Sequence, residues 1–207
     1  MDMNDLPDGL SFPDAVVKRI FDIVFSFVGL LLLWWVILIA AAFAYLSTRE
    51  NGFFTQERIG QFGKKFRIIK IRTMRSEPGI ATNVTTSEDK RITSLGKLLR
   101  KTKIDELPQL INVFLGQMSF VGPRPDVSGF VDELKGDDLI ITTVKPGITG
   151  PATLAYRKEE QLLATVEKPE EYNRQVIFPD KVRINKEYIR NYSLLKDLKY
   201  IVRTVFS

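Results

Sequence analysis

Along the chain the hydrophobic positions change period several times, and each change predicts an element. From Ile23 to Leu46 there is no charged residue at all. About twenty consecutive apolar residues are enough for a helix to cross the hydrocarbon layer, so residues 15–48 are read as a membrane helix. The polar, acidic stretch at 1–14, broken by Pro7, Gly9 and Pro13, is read as a surface arm. Basic residues mark the cytoplasmic side of a membrane segment, and here they flank both ends: Lys18 and Arg19 before it, Arg49, Arg58, Lys64, Lys65 and Arg67 after it. Trp34 and Trp35 fall near the middle, although Trp prefers the interface. Both features favour a re-entrant helix over a spanning one. A cleaved signal peptide is set aside because the apolar core is too long for one.

Residues 49–207 are read as one compact domain. Alternation from Gly52 to Met74 around Gly60 and Gly63 predicts a β-hairpin, with Lys64 and Lys65 at its turn and Lys70 and Arg72 on its second strand. Ser76 to Asp89, rich in Thr, Ser, Asn, Pro and Gly, predicts a loop or lid. Ile92 to Thr102 predicts a short amphipathic helix, facing either the core or a membrane surface. Leu107, Leu110, Ile111, Phe114 and Leu115 have the spacing of a buried helix face. Asp126 to Gly136 is helical by pattern, Val144 to Thr153 reads as a rigid loop, and Glu159 to Arg174 as a charged helix interrupted at Pro169. Lys181 to Phe206 reads as one basic amphipathic helix, to pack on the core or lie on lipid. The fold class expected is α/β: a membrane helix followed by a small helix-rich catalytic domain with amphipathic interfacial helices.

Composition narrows the chemistry. The 207 residues carry 30 Lys and Arg against 25 Asp and Glu, a balance of +5 that suits nucleic acid, anionic lipid or nucleotide-sugar phosphates alike. Cys and His are both absent. Disulfides, thiolate nucleophiles, His general bases and the common zinc sites are thereby excluded, leaving carboxylates, Lys, Tyr and an oxygen-ligated metal.

The candidate chemistry concentrates between Lys101 and Pro125. Asp105 and Glu106 stand where a helix is predicted to open, with Asp105 as N-cap and Pro108 in the first turn. The ordinary reading is a cap and first-turn charge. Four cations immediately upstream, Lys97, Arg100, Lys101 and Lys103, and Arg124 held between Pro123 and Pro125 add a different one. Cations converging on carboxylates at a helix start suit phosphates, with a divalent metal between the carboxylates and an anionic substrate.

D-E-L-P-Q-L-I-N-V, then M-S-F-V-G-P-R-P, with F-F-T-Q-E-R-I-G and K-I-R-T-M upstream and K-P-G-I-T-G downstream, resembles the bacterial sugar transferases, the monotopic polyprenyl-phosphate phosphoglycosyl transferases. The likeness runs from about Val17 to the C-terminus. It implies transfer of a phospho-sugar from a UDP-sugar to a polyprenyl phosphate, giving UMP and a polyprenyl diphosphate sugar. It further implies Asp105 as nucleophile, Glu106 as metal ligand or proton acceptor, and Mg²⁺ held by Asp105 and Glu106. Lys70, Arg72, Arg100 and Arg124 would clamp phosphates. The location implied is the cytoplasmic face of the bacterial inner membrane, in contact with lipid. The family breaks its membrane helix at a Ser-Pro pair where this chain has Trp34-Trp35, often has Trp at Pro151, and commonly has Asp near Asn185. Two other readings stay open: one-step displacement with Asp105 as a pure metal ligand, and a non-catalytic adaptor on anionic lipid. No aromatic-basic interleaving marks a nucleic-acid binder, and a homodimer is neither required nor barred.

Overall fold

A computed structural model describes residues 7–76 and 89–206. The predicted loop at 76–89 lies almost wholly outside the described residues. Helix α1 runs unbroken over Phe12–Thr48, 37 residues, with Ser11 as its N-cap, roughly 55 Å at the ordinary helical rise. No interruption occurs at Trp34 or Trp35, whose side chains are exposed.

One stripe of α1 is buried along the domain. At its start Lys18 pairs with Asp197, whose other oxygen accepts from Tyr188 Oη at 2.7 Å. A turn later Asp22 accepts from Ser119 Oγ at 3.1 Å and from the Phe120 backbone N–H at 3.0 Å. Arg19 donates to the carbonyls of Val113 and Phe114, at 2.7 and 2.8 Å, at the end of helix α3 (Gln109–Phe114). Further on, Ile37, Ala40, Ala41 and Ala44 pack with Ile71 and Leu99. The small residues let backbones approach: a Cβ on Gly52 would lie 2.0 Å from the Ala41 carbonyl oxygen. The opposite face exposes Phe25, Leu31, Leu32, Leu38, Phe43 and their neighbours. Side chains of that size exposed in one continuous strip mark an interaction surface.

The predicted hairpin is present as β1 (Phe53–Ile59) and β2 (Lys65–Ile71), antiparallel with Phe53 opposite Ile71 and Ile59 opposite Lys65. Helix α2 (Ser94–Lys101) is capped by Thr93, which accepts from Gly96 N–H. It buries Leu99 in the core, while Leu98 is exposed.

Several elements differ from the sequence reading. Asp105 and Glu106 do not open the long helix. They lie in a separate 3-10 turn, Ile104–Glu106, entered through Lys103 at φ 59°, and α3 begins only after Pro108. Asp105 is therefore not an N-cap. Asp126 to Gly136 is mostly irregular, with one 3-10 turn at Val131–Glu133, because Asp132 bonds the Gly129 and Phe130 N–H groups and Gly129 takes φ 95°. The expected rigid loop supplies strand β4 (Gly147–Thr149), parallel to β3 (Ser119–Val121), then helix α4 (Pro151–Ala155). The charged segment is interrupted at Pro169 as expected, into α5 (Glu159–Ala164) and α6 (Pro169–Tyr172). The C-terminal helix is two, α7 (Phe178–Arg190) and α8 (Leu194–Phe206), parted at Asn191 so that Asp197 can turn inward onto Lys18. The class is a helix-rich α/β fold with one long apolar helix.

Candidate active site

The 3-10 turn carrying the two carboxylates is held from below and from one side. Ile104 and Leu107 pack against the Ile37–Ala44 stripe of α1. On α3, Asn112 is fully buried and bonds three ways: its amide donates to the Arg67 carbonyl at 2.8 Å and to Gln117 Oε1 at 2.7 Å, and accepts from Ile69 N–H at 3.0 Å. This fixes the turn against strand β2, whose Lys70 then faces Glu106. Arg124 arrives from the opposite side. Its support is the close approach of two backbones, since a Cβ on Gly122 would lie 2.4 Å from the Lys145 carbonyl oxygen.

Glu106 Oε1 accepts from Arg124 at 2.7 Å and from Lys70 at 3.1 Å. Burial alone would raise the Glu106 carboxyl, but the two cations outweigh it and hold it well below the usual range. Burial lowers the Lys70 ammonium against the pull of Glu106. Asp105 has no such partners. Burial, and secondarily the Glu106 charge, push its carboxyl up to about 6, and its Oδ1 is buried without a hydrogen bond. The adjacent carboxylates thus differ: Glu106 is an anion neutralising two cations, while Asp105 keeps an oxygen without a hydrogen-bond partner.

Asp105 lines a cavity of about 510 Å³. Lys70, Arg72, Arg100, Asp105 and Arg124, five of the six residues singled out from sequence, all line it, and Glu106 does not. Arg72 is paired with Glu50 at 2.9 Å and Arg100 with Glu160 at 2.5 Å, so either must exchange its partner to grip a phosphate. The sequence reading passed over Arg58, Asp126 and Lys181, which also line the cavity. Arg58 has a buried Nε without a partner, and its place in F-F-T-Q-E-R-I-G was the available signal. Lys181, paired with Glu159 at 2.6 Å, looked like any other cation of an amphipathic helix.

A magnesium ion is compatible with this donor set only in company. Among the described residues no group of three carboxylates could hold a metal. Magnesium, however, commonly takes one or two carboxylates and completes its shell with water and substrate phosphate. Asp105 Oδ1 is free for that role, and Glu106 is the adjacent carboxylate.

A family profile described as bacterial sugar transferase matches residues 13–207. The chain belongs to that family. It is 36% identical over 202 residues to the UDP-glucose:undecaprenyl-phosphate glucose-1-phosphate transferase of Escherichia coli, covering 95% of this chain and 41% of that protein. It is 32% identical over 209 residues to the UDP-galactose-lipid carrier transferase of Erwinia amylovora, 91% of this chain and 39% of that protein. It is 29% identical over 207 residues to the exopolysaccharide production protein ExoY of Sinorhizobium fredii, 92% of this chain and 84% of that protein. The chain spans about two fifths of the length of the first of these relatives.

Proposed function

We propose that this bacterial sugar transferase is a phosphoglycosyl transferase that moves a phospho-sugar from a UDP-sugar to undecaprenyl or a similar polyprenyl phosphate, releasing UMP. The observation that carries the reading is Asp105, whose Oδ1 has no hydrogen-bond partner, lining a cavity together with Arg58, Lys70, Arg72, Arg100 and Arg124. In the first step an Asp105 oxygen attacks the sugar-bearing phosphorus. An O–P bond forms, the bridging P–O bond breaks, and UMP leaves with that electron pair. In the second step an oxygen of the acceptor phosphate attacks the same phosphorus, restoring the carboxylate and giving polyprenyl diphosphate sugar. Arg124 and Lys70, fixed by Glu106, meet the charge that gathers on the phosphoryl oxygens. Mg²⁺ held by Asp105 and Glu106 would supply further neutralisation of that charge.

The same reading has α1, unbroken as it is, lie along the cytoplasmic leaflet of the inner membrane without crossing it. Both ends of its buried stripe, Lys18 and Thr48, lie against the one domain, whereas a spanning helix would leave one end on the far side. Single cysteines at Asp8 and Asn51 are expected to react with impermeant reagent from the cytoplasmic side only; opposite sidedness would mean a span.

For the chemistry, protein incubated with UDP-sugar alone is expected to release at most one equivalent of UMP and to gain the mass of a phospho-sugar on the peptide holding Asp105. Polyprenyl phosphate then discharges it. Normal turnover without any UMP release before acceptor is added would favour one-step displacement. No turnover with any UDP-sugar and polyprenyl phosphate would leave the adaptor reading.

A further inference from the structure

Arg100 and Arg124 separate two cavities. The first contains Asp105 and offers aromatic faces: Phe54, with Arg72 5.6 Å above its ring, and Phe130 edge-on to Phe178 at 5.1 Å. The second, about 570 Å³, shares Arg100, Arg124, Lys181, Phe178 and the acids Asp126, Glu159 and Glu160 with the first but excludes Asp105. Its walls include Ile141, Ala152 and Val182, all buried. Two residues of this wall, Asn185 and Thr153, each hold a buried polar atom, Oδ1 and Oγ1, without a hydrogen-bond partner. Asn185 is only 5% exposed. Buried polar groups are nearly always satisfied, so two on the wall of one cavity point to a ligand that supplies the partners. Lys97, Lys101, Arg157 and Lys158 also line this cavity and form no ion pair among the described residues.

A neutral hydrogen-bonding wall and a surround in which cations outnumber Asp126, Glu159 and Glu160 together fit one kind of molecule, a polyhydroxylated ring carrying a phosphate. A nucleobase, which binds largely by stacking, is served better by the first cavity, because Phe54 and Phe130 line it and not the second. We propose that the second cavity is the subsite for the sugar of the donor, with Thr153 and Asn185 hydrogen-bonding its hydroxyls while Arg124 and Arg100 hold the phosphate between the cavities. The inference rests on the phosphoglycosyl transfer proposed above. It makes Thr153 and Asn185 specificity-determining residues: the hydroxyl and the neutral amide each donate and accept, so they read the positions of hydroxyls on the ring.

The test compares the best UDP-sugar with its deoxy analogues in wild type, Thr153→Val and Asn185→Leu, following UMP release with polyprenyl phosphate present. Removing the hydroxyl that is read should lower wild-type kcat/KM by roughly 10- to 100-fold, because the polar wall is then left unpaired. In the variant that has lost the partner atom, the same removal should change kcat/KM by less than about 3-fold. Inhibition by UMP and the thermal unfolding temperature should stay at wild-type values, and Thr153→Ser should recover the discrimination. The inference is overturned if both variants still sense every hydroxyl that wild type senses, or if wild type senses none. It is equally overturned if UMP inhibition weakens in step with all donors, which would assign the cavity to the nucleoside. Absence of UMP release from any UDP-sugar in wild type would sink the transferase reading itself, and this inference with it.

Discussion

Glu106→Gln isolates the role of the buried anion. The substitution keeps the shape and removes the charge, leaving Lys70 and Arg124 without the carboxylate they now share at 3.1 and 2.7 Å. Breaking a buried ion pair by deleting one partner costs about 3–5 kcal/mol. The two cations do not bear that equally. The Arg124 side chain is 39% exposed and can rehydrate, whereas that of Lys70 is 19% exposed and Glu106 only 9%. The lower end, about 3 kcal/mol, is therefore expected, and for a chain of this size that is a fall of roughly 6–12 °C in unfolding temperature. Thermal unfolding of the detergent-solubilised protein measures it. Adding Arg124→Met removes one stranded cation, so the double variant should lose about 1–3 kcal/mol less than the two single losses combined. A shift under about 2 °C for Glu106→Gln, with the pair additive to within about 0.5 kcal/mol, would refute the claim that Glu106 is the counter-charge that fixes both clamps.

Asp105→Asn is expected to abolish the covalent adduct and turnover while leaving the unfolding temperature equal to or above that of wild type, because it replaces a carboxyl that burial penalises and no partner compensates; a clear loss of stability would make Asp105 a structural residue. Excess EDTA should stop UMP release and Mg²⁺ restore it, so undiminished turnover in chelator would remove the metal. Asp22→Ala strands the Phe120 N–H and the Ser119 hydroxyl beneath α1, and denaturation should show a loss of about 3 kcal/mol; a neutral outcome would mean that the first turns of α1 are not docked on β3.

What the sequence disclosed was whatever depends on neighbours along the chain. The β-hairpin could be read because Gly60 and Gly63 punctuate a simple alternation, and the grouping of Asp105, Arg100 and Arg124 because all lie within one short stretch. Lys70 joined them through its strand. The second cavity was invisible because Thr153 on α4 and Asn185 on α7 acquire a common purpose only when those helices pack. Periodicity could not reveal that Glu106 would be consumed by its own cations. It also misread the C-terminus as one helix, since the break at Asn191 serves a contact with Lys18, far away in sequence. The apolar run hid most of all, because Asp22 and Ser26 belong to the buried stripe of a segment that looks uniformly lipid-facing.

That stripe gives the Trp34-Trp35 pair a testable meaning. The family resemblance puts Ser-Pro at these positions, where the missing N–H and the proline ring would bend a helix, yet α1 is continuous through them. Trp34 is 57% exposed, so replacing its side chain removes little packing on the domain. In Trp34→Pro the lost hydrogen bond and the clash with the carbonyl of Leu30 should therefore dominate, at about 3 kcal/mol or more, or roughly 6–12 °C in unfolding temperature. Trp34→Ala, which keeps the backbone donor, is the control and should shift it far less. If the proline variant unfolds at the wild-type temperature, the folded helix already accommodates a bend at this point and the continuity of α1 is not what docks both of its ends on one domain.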